Sequence, residues 1–455
     1  MIMIGAIKSG AKGLWDRHNF ETVAQLKAKN PTVGWIVETT GYTSSGDGGA
    51  AKYLIMTLAA FGSTPNELSD HTLSNGNVAV LQHNKTINVM WCGVQGKGFL
   101  SNDTIPMQTA IDIAELIKGD VFVPPPVDFY WHTRPFVART DVTFRVLNKA
   151  TRFYNDNSQG DYWSGASWLF CSSGGGVIRN QGTWYDVATI TAVKNTVNMT
   201  TASDSDNFSI GDIVNLRAKA EYTIAGNDHT TYGEVNRVKD ISAGVLTLKY
   251  PVYEDQVDLH ITNLTTMAYN MGGTLPPTGG ASTNFTLLGG VWETNNQHFC
   301  TQFFCVDNSI HPHAIKGAHG LGWGGGASHG KMSVVHEELT GASVDLATSF
   351  TNVEIRKTSV STTMTETDGQ VVNISESGRN NSVYIQSLII EGNPVIPNAV
   401  ANITAARNNK IEIDNLYGDL VSGDAAKIQQ LNYVGTNVDT HGNSIRINNC
   451  RLKSQ

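Results

Sequence analysis

The sequence is short of charge, of cysteine and of long apolar runs, and each shortage excludes something. Charged residues are 16% of the 455, against about 25% in an ordinary soluble domain. The net charge is −8, so the chain lacks the basic footprint of a nucleic-acid binder and no nucleic-acid partner is expected. No 18 consecutive residues are apolar, so no transmembrane helix and no membrane insertion are expected. The opening MIMIGAIKSGAKGLW has no charged segment followed by a long apolar one, and no secretory signal is expected. The five cysteines (Cys92, Cys171, Cys300, Cys305, Cys450) are odd in number and never spaced CxxC. They are read as reduced, mostly core residues rather than a disulfide frame or a zinc site. Long helical patterns are few.

What the chain has instead is a ladder. Near the C-terminal end, Val353-Glu354-Ile355, Val383-Tyr384-Ile385, Ile411-Glu412-Ile413 and Ile445-Arg446-Ile447 recur, with their last apolar positions 30, 28 and 34 residues apart. A second series, Val344-Asp345-Leu346, Val372-Asn373-Ile374, Ala401-Asn402-Ile403 and then Ile428, steps by 28, 29 and 25. Two interleaved series of nearly one period mean a recurring coil with at least two strands per turn. Each triplet is apolar, polar, apolar, so one face points inward. A single coil cannot bury that face, and stacking makes a continuous core. The expected fold is all-β, a parallel β-helix. Helical and leucine-rich solenoids are set aside, because neither a 3.6-residue apolar period nor a leucine skeleton is present. Asp345 aligns with Asn373 and Asn402 and reads as part of a structural ladder.

The remaining stretches divide as follows. Residues 19–55 read as a small α+β unit: a helix at Val23–Lys29, a strand at Gly34–Thr39, a Gly-Asp-Gly-Gly turn and a strand at Ala51–Met56. No βαβ unit surrounds that turn, so a phosphate site is not expected there. Residues 86–119 read as a strand, a Gly-rich turn and a helix, capped by Asn102, Asp103 or Thr104 and ended by Gly119. The helix has an apolar face, as a cap on an exposed solenoid end would need. Residues 197–260 break the coil pattern and read as an inserted antiparallel β-subdomain. The expected divisions are 1–85, 86–120 and a solenoid over 121–455, with the insertion at 197–260.

WIVETTGYTSSGDGGAAKYLI resembles the module that precedes the β-helix in many bacteriophage tailspikes. INVMWCGVQGKGFLSNDTIPMQTAID resembles the motif that opens pectate-lyase-like β-helices. It departs from that pattern at Lys97, where Asp is common, and at Asn102-Asp103, which replaces an acid pair. The two motifs cover 47 residues. The resemblance implies a single-stranded right-handed β-helix in a homotrimeric tailspike or capsule depolymerase of the phage virion. Such a protein binds, and usually cleaves, a bacterial surface polysaccharide. It also implies that residues 1–85 attach to other tail or baseplate proteins, and that no cofactor is used.

The chemistry is sought among stacked acids. Aligning coils on Ile315, Leu346 and Ile374 and stepping back eight residues gives Asp307, Glu338 and Glu366, with Glu337 and Asp368 alongside. Carboxylates about 5 Å apart raise one another's pKa, and an acid kept protonated beside an ionised partner is what glycoside hydrolysis needs. A solvated acidic ridge is the plain alternative. Dense aromatics at 130–185 could stack on sugars or pack in the core. The stretch HPHAIKGAHGLGWGGGASHGKMSVVH matches the start of a P-loop at Gly325–Lys331, but Met332 stands where Ser or Thr must hold magnesium. Its histidines lack a metal spacing and read as groove-lining residues. Trp323, His313, His329 and Arg379 are the substrate-binding candidates, and no metal is expected. Two other functions stay open: a lyase, using His313, His319 or His329 as base with Arg356 or Arg379 against a uronate, and a non-catalytic glycan-binding adhesin.

Overall fold

Both ladders pair in the register their spacing predicts. Val353, Val383, Ile411 and Ile445 form one row of parallel partners, with Ile355, Ile385, Ile413 and Ile447 two residues on. Leu346, Ile374, Ile403 and Ile428 form another. Nine of these twelve side chains are buried, so the apolar positions point inward as the alternation requires; Ile445 and Ile447 on the last coil are partly buried and Ile428 is exposed. The chain is all-β in its main body, a parallel β-helix.

The structure, a computed structural model, describes residues 19–133, 136–156, 168–171, 183–190, 194–218, 234–252, 259–265, 282–294, 298–302, 305–317, 319–323, 328–346, 348–361, 370–375, 378–391, 395–404, 406–420, 422–429, 432–433, 436–437 and 442–454. The chain divides into two units, residues 1–131 with 142–148, and residues 132–141 with 149–455.

The first unit begins with a five-stranded sheet in which Ile36–Thr39, Lys52–Met56 and Val78–Leu81 are the central strands. The helix Val23–Ala28, capped by Thr22, lays Val23 and Leu26 on a core of Val37, Tyr53, Ile55 and Leu81. The Gly-Asp-Gly-Gly turn is closed from within. The Asp47 carboxylate accepts the backbone N–H groups of Tyr42, Thr43, Ser44 and Gly49 at 2.7–3.0 Å, which holds its pKa below the usual carboxylate range despite burial. Those donors are spent on Asp47, consistent with a turn rather than a phosphate cradle. Next come the parallel strands Thr86–Asn88, Asp120–Val123 and Thr143–Val146. The helix Thr104–Ile117 buries Met107, Ala110, Ile111 and Ala114. Asn102 accepts the Thr104 N–H. Asp103 turns back to accept the N–H groups of Gln95 and Gly96. Gly96 has φ +60°, and a Cβ there would lie 2.6 Å from Pro126, so the turn requires glycine.

The second unit carries three solenoid sheets. The strands Lys331–Leu339, Asn352–Val360, Ser382–Ile390, Lys410–Leu420 and Ser444–Ser454 each bend near their middle and so serve two sheets in turn. The third sheet stacks eight strands, from Phe136–Val137 to Ser422–Gln429. One inward column reads Phe153, Trp292, Ile315, Glu337, Thr358, Leu388, Leu416, and ends at Cys450, which is exposed on the last coil. At its start Phe153 and Trp292 stack at 3.9 Å, with the buried His132 beyond Phe153. At the corner before the first sheet, Asp141, Asn284, Asp307, His329, Phe350, Asn380 and Asn408 all adopt positive φ. Asn and Asp tolerate that conformation. Just inside it, the buried Asn381, Asn409 and partly buried Asn443 hydrogen-bond coil to coil. The Asp345–Asn373–Asn402 ladder also forms, with both links at 3.0 Å.

The expected insertion is a closed antiparallel barrel. Its strands are Trp184–Thr189, Lys194–Met199, Ile213–Ala218, Glu234–Ser242, Val245–Val252 and Leu259–Asn263, so it starts before residue 197 and ends after 260. Its core is Val197, Val214, Leu216, Leu246, Leu248 and Ile261 with their neighbours. Ala243-Gly244 makes the turn between two of its strands.

Candidate functional site

The bend in the long strands creates two outward rows on either side of a corner. In the first row, His311, Ser333, Glu354, Tyr384, Glu412 and Arg446 occupy equivalent positions on successive coils. The last four of these are the polar centres of the sequence triplets. In the second row, beyond the corner, Lys316, Glu338, Ser359, Ile389, Tyr417 and Arg451 are equivalent. Neighbouring coils are about 4.7–4.9 Å apart, so one member of a row is within side-chain reach of the next.

Glu338 stands out in the second row. Its side chain is half exposed, at 51%. Oε1 meets His336 Nε2 at 2.9 Å and Oε2 meets Lys316 Nζ at 3.2 Å. The imidazole contact first, and then the ammonium, hold its carboxyl below the usual range. An ionised, accessible carboxylate can accept a proton or attack as a nucleophile; it cannot serve as the proton donor.

The acid column expected from the sequence does not form. The partner of Leu346 in the preceding coil is Trp323, not Ile315; Ile315 belongs to another sheet and pairs with Glu337. The alignment therefore joined two faces. Asp307 lies in the corner column below His329, while Glu338 lies between Lys316 and Ser359. The residue paired with Glu338 on the next coil is Ser359. Glu366 and Asp368 lie outside the described residues, on a connection that has lengthened: four residues separate Leu339 from Val344, and eleven separate Val360 from the equivalent Val372. Glu337 points the opposite way from Glu338. It is fully buried inside the solenoid, where Ser343 Oγ donates to its Oε2, and burial pushes its pKa up to about 8.

Asp307 and His329 come together, at a seam with the barrel. Tyr250 donates its hydroxyl to Asp307, and Lys249 Nζ lies 2.8 Å from the same carboxylate. The His329 ring is sandwiched between Tyr250, at 3.6 Å, and Phe350, at 4.8 Å; burial pushes its pKa down to about 4. Ser328 donates to the Val235 carbonyl, and Val306 packs with Ile213, Val235 and Leu264 of the barrel region. These contacts fasten the barrel to the solenoid corner, which accounts for Asp307 without chemistry.

The other candidates are dispersed. His313 sits at the bend before Ala314–Gly317, and its N–H bonds the Gly290 carbonyl. Trp323 ends a third-sheet strand, and its side chain lies outside the described residues. Arg379 is half-buried in the corner between Ser349 and Arg407. Among the described residues no group of three or more His, Cys, Asp or Glu could hold a metal, and no helix is long and apolar enough to cross a membrane. Lys316 and Tyr384 escaped sequence reasoning as site residues, and His336 entered it only as one of the groove-lining histidines. The middle residues of the triplets could have revealed the Tyr384 row, had the outward positions been followed as the inward ones were.

By fold the chain is a parallel β-helix with an inserted barrel, and the solved structures it resembles are phage tailspikes. The tailspike of Pseudomonas phage phi297 is 13% identical, with a TM-score of 0.34 over 76% of this chain and 75% of that one. The tailspike of Acinetobacter baumannii bacteriophage AP22, solved with a capsular saccharide, is 11% identical, with a TM-score of 0.34 over 76% of this chain and 66% of that one. The tailspike of A. baumannii bacteriophage Fri1, a capsular polysaccharide depolymerase, is 11% identical, with a TM-score of 0.31 over 93% and 77%. Superpositions of this quality transfer neither residue roles nor substrates. No family model matches the sequence, and no curated protein does.

Proposed function

We propose that the chain is a phage tailspike that binds a bacterial surface polysaccharide and cleaves it by hydrolysis. Glu338 is its ionised carboxylate, and Glu366 or Asp368 is the proton donor. The observation that carries this reading is Glu338 itself: an exposed carboxylate on an outward row, held ionised by His336 and Lys316. Glycoside hydrolysis needs one carboxylate charged and one protonated, flanking the bond. The sequence motifs of residues 35–55 and 87–112 support the phage assignment, and with it a homotrimer in the virion that docks through residues 1–85 onto other tail proteins. A lyase is the second reading. It is weakened by the burial of His319 and by the closure of His329 between two rings.

The test is incubation of the protein with capsular and O-antigen polysaccharides from a bacterial panel, following reducing ends and ultraviolet absorbance together. Light scattering of the same sample checks the trimer. Reducing ends without new absorbance, reduced at least about 100-fold in Glu338→Gln, are expected. New absorbance that persists in Glu338→Gln and Glu366→Gln rejects hydrolysis in favour of a lyase. Binding without cleavage rejects the enzyme and leaves an adhesin.

A further inference from the structure

The inward column that begins at Phe153 is interrupted by polar side chains at one level of the solenoid. Phe153, Trp292 and Ile315 precede the interruption, and Leu388 and Leu416 follow it, all fully buried. Between them Glu337 and Thr358 pair on adjacent coils and are buried as completely. The alternation that sends Glu337 inward sends Glu338 outward, so the polar level of the core lies directly behind the ionised carboxylate. Glu337 does not stay over its own sheet. Its carboxyl reaches the third sheet, where Ser343 Oγ donates to Oε2. A Cβ at Gly320 would lie 2.6 Å from Oε1 and 2.6 Å from the Ser343 carbonyl, so glycine is what admits the carboxyl there. Ser343 is itself held on both sides: its N–H bonds the Val371 carbonyl, and its carbonyl accepts the Leu321 N–H. The side chain of Glu337 thus ties the end of the strand Lys331–Leu339 to the next wall, across the corner 340–343. Oε1 has no hydrogen-bond partner among the described residues. A buried carboxyl with an orphan oxygen is unfavourable, and a leucine like Leu388 or Leu416 would continue the column. Departures from core patterning are expected where function demands them.

We propose that Glu337 is a positioning residue for Glu338: its tie to Ser343, admitted by Gly320, fixes from inside the solenoid the strand end that carries the reacting carboxylate outside. The inference rests on the glycan-cleaving reading above and extends it to the group that holds the carboxylate in place. Glu338 stands one residue before the end of its strand, where the ladder to the next coil stops at Leu339 and Val360. Its outer contacts come from His336 and Lys316, both partly exposed side chains. They hold its charge, whereas the buried tie holds its backbone. A reacting group must be kept within about 0.5 Å of its productive position, and a misplacement of about 1 Å costs on the order of 100-fold in rate. Glu337 touches no substrate, so loss of the tie acts on the chemical step and shows in kcat rather than in KM.

The experiment uses the full chain and the capsular and O-antigen polysaccharides of the same panel, with kcat, KM and thermal melting measured on each variant. Glu337→Leu combined with Ser343→Ala replaces both partners of the tie by apolar groups, a change that is nearly neutral or stabilising for the fold. Glu337→Gln keeps the shape and a carbonyl acceptor for Ser343. Expected in the double variant are a melting temperature at or above that of the wild type, a kcat lowered about tenfold or more and an unchanged KM. Glu337→Gln is expected to recover most of that kcat. Stability and activity then move apart, which a merely structural role does not allow. A folded double variant with wild-type kcat, or with a change confined to KM, overturns the positioning role and leaves the Glu338 centre standing. An equal fall of kcat in Glu337→Gln overturns it too, because the amide keeps the tie. Should the double variant not fold, Ser343→Ala alone decides, a lowered kcat at constant KM supporting the tie and a wild-type kcat overturning it. Full activity in Glu338→Gln, or cleavage of no polysaccharide by the wild type, overturns the centre and the positioning role together.

Discussion

Asn381 shows how much of this solenoid depends on single buried amides. Its Nδ2 donates to the Thr348 carbonyl at 2.6 Å and to Asn409 Oδ1 at 3.0 Å. Its Oδ1 accepts the Thr351 N–H at 2.9 Å, and its own N–H reaches Asn409. It thus satisfies backbone groups on the coil below while being held by the coil above. Buried main-chain polar groups are nearly always paired, and the Thr351 N–H has Asn381 Oδ1 as its partner. Asn381→Ala removes the amide and leaves the Thr351 N–H unsatisfied, at a cost of about 1–3 kcal/mol, while the Thr348 carbonyl keeps the Arg379 N–H. Urea unfolding is expected to show a loss of roughly 2 kcal/mol, with m little changed. A loss below about 0.5 kcal/mol, the range of an ordinary surface substitution, would mean that water replaces the amide and the ladder is ornament. Glu337 is the contrasting case: a carboxyl placed in an otherwise mostly apolar column, between Ile315 and Thr358, with room left above Gly320, where a Cβ would lie 2.6 Å from Glu337 Oε1.

At the scale of elements, the barrel and the solenoid corner are fastened through Asp307, and this separates an anchoring role from a catalytic one. Asp307→Asn keeps an acceptor for Tyr250 and loses the Lys249 ion pair; Asp307→Ala loses both. If the residue anchors, hydrogen exchange in Val245–Val252 should quicken in Asn and more so in Ala, and polysaccharide cleavage should fall by less than about tenfold. Loss of cleavage of at least about 100-fold, with unaltered exchange, would restore Asp307 to the catalytic set. The sequence made the element types legible because burial enforces a period: Val353, Val383, Ile411 and Ile445 face the core and must stay apolar. The barrel was legible as an interruption, although its outer strands at Trp184–Thr189 and Leu259–Asn263 were not, since they are short and set off by breaks. The site was read less well for a physical reason. Outward positions carry no constraint of apolarity, so nothing in the composition corrected the misplacement of Ile315 by one sheet, and the acid column followed that error. Glu337 and Glu338 are neighbours in sequence, yet the strand's alternation sends one to the core and the other to solvent.

On the scale of the molecule, the two units should answer differently to pH, because each buries different titrating groups. In the first unit, His71 is fully buried against the rings of Tyr42 and Tyr53, and burial pushes its pKa down to about 4 from an ordinary 6.5. Its folded form binds fewer protons than its unfolded form below pH 6.5, so its stability contribution is complete above that value and is lost as pH falls towards 4. Asp103, raised by burial to about 6, works in the opposite sense and has mostly finished titrating by pH 6.5. In the second unit, His132 and His329 behave like His71, with values of about 3 and about 4. Glu337 is the exception. Its folded form keeps a proton from the ordinary 4.5 up to about 8, so stability falls as pH rises through that interval, at up to about 1.4 kcal/mol per pH unit. Between pH 6.5 and 8 the first unit should therefore hold steady while the second loses roughly 2 kcal/mol. Hydrogen exchange, corrected for its intrinsic pH dependence, resolves the units by peptide. It should show faster opening of the coils around Lys331–Val360 at pH 8, and none in Ile36–Leu81. In Glu337→Gln that difference should disappear, because the amide does not titrate. Equal responses in both units, or a difference that survives Glu337→Gln, would mean that the buried carboxyl is not the group that sets the alkaline limit of the solenoid.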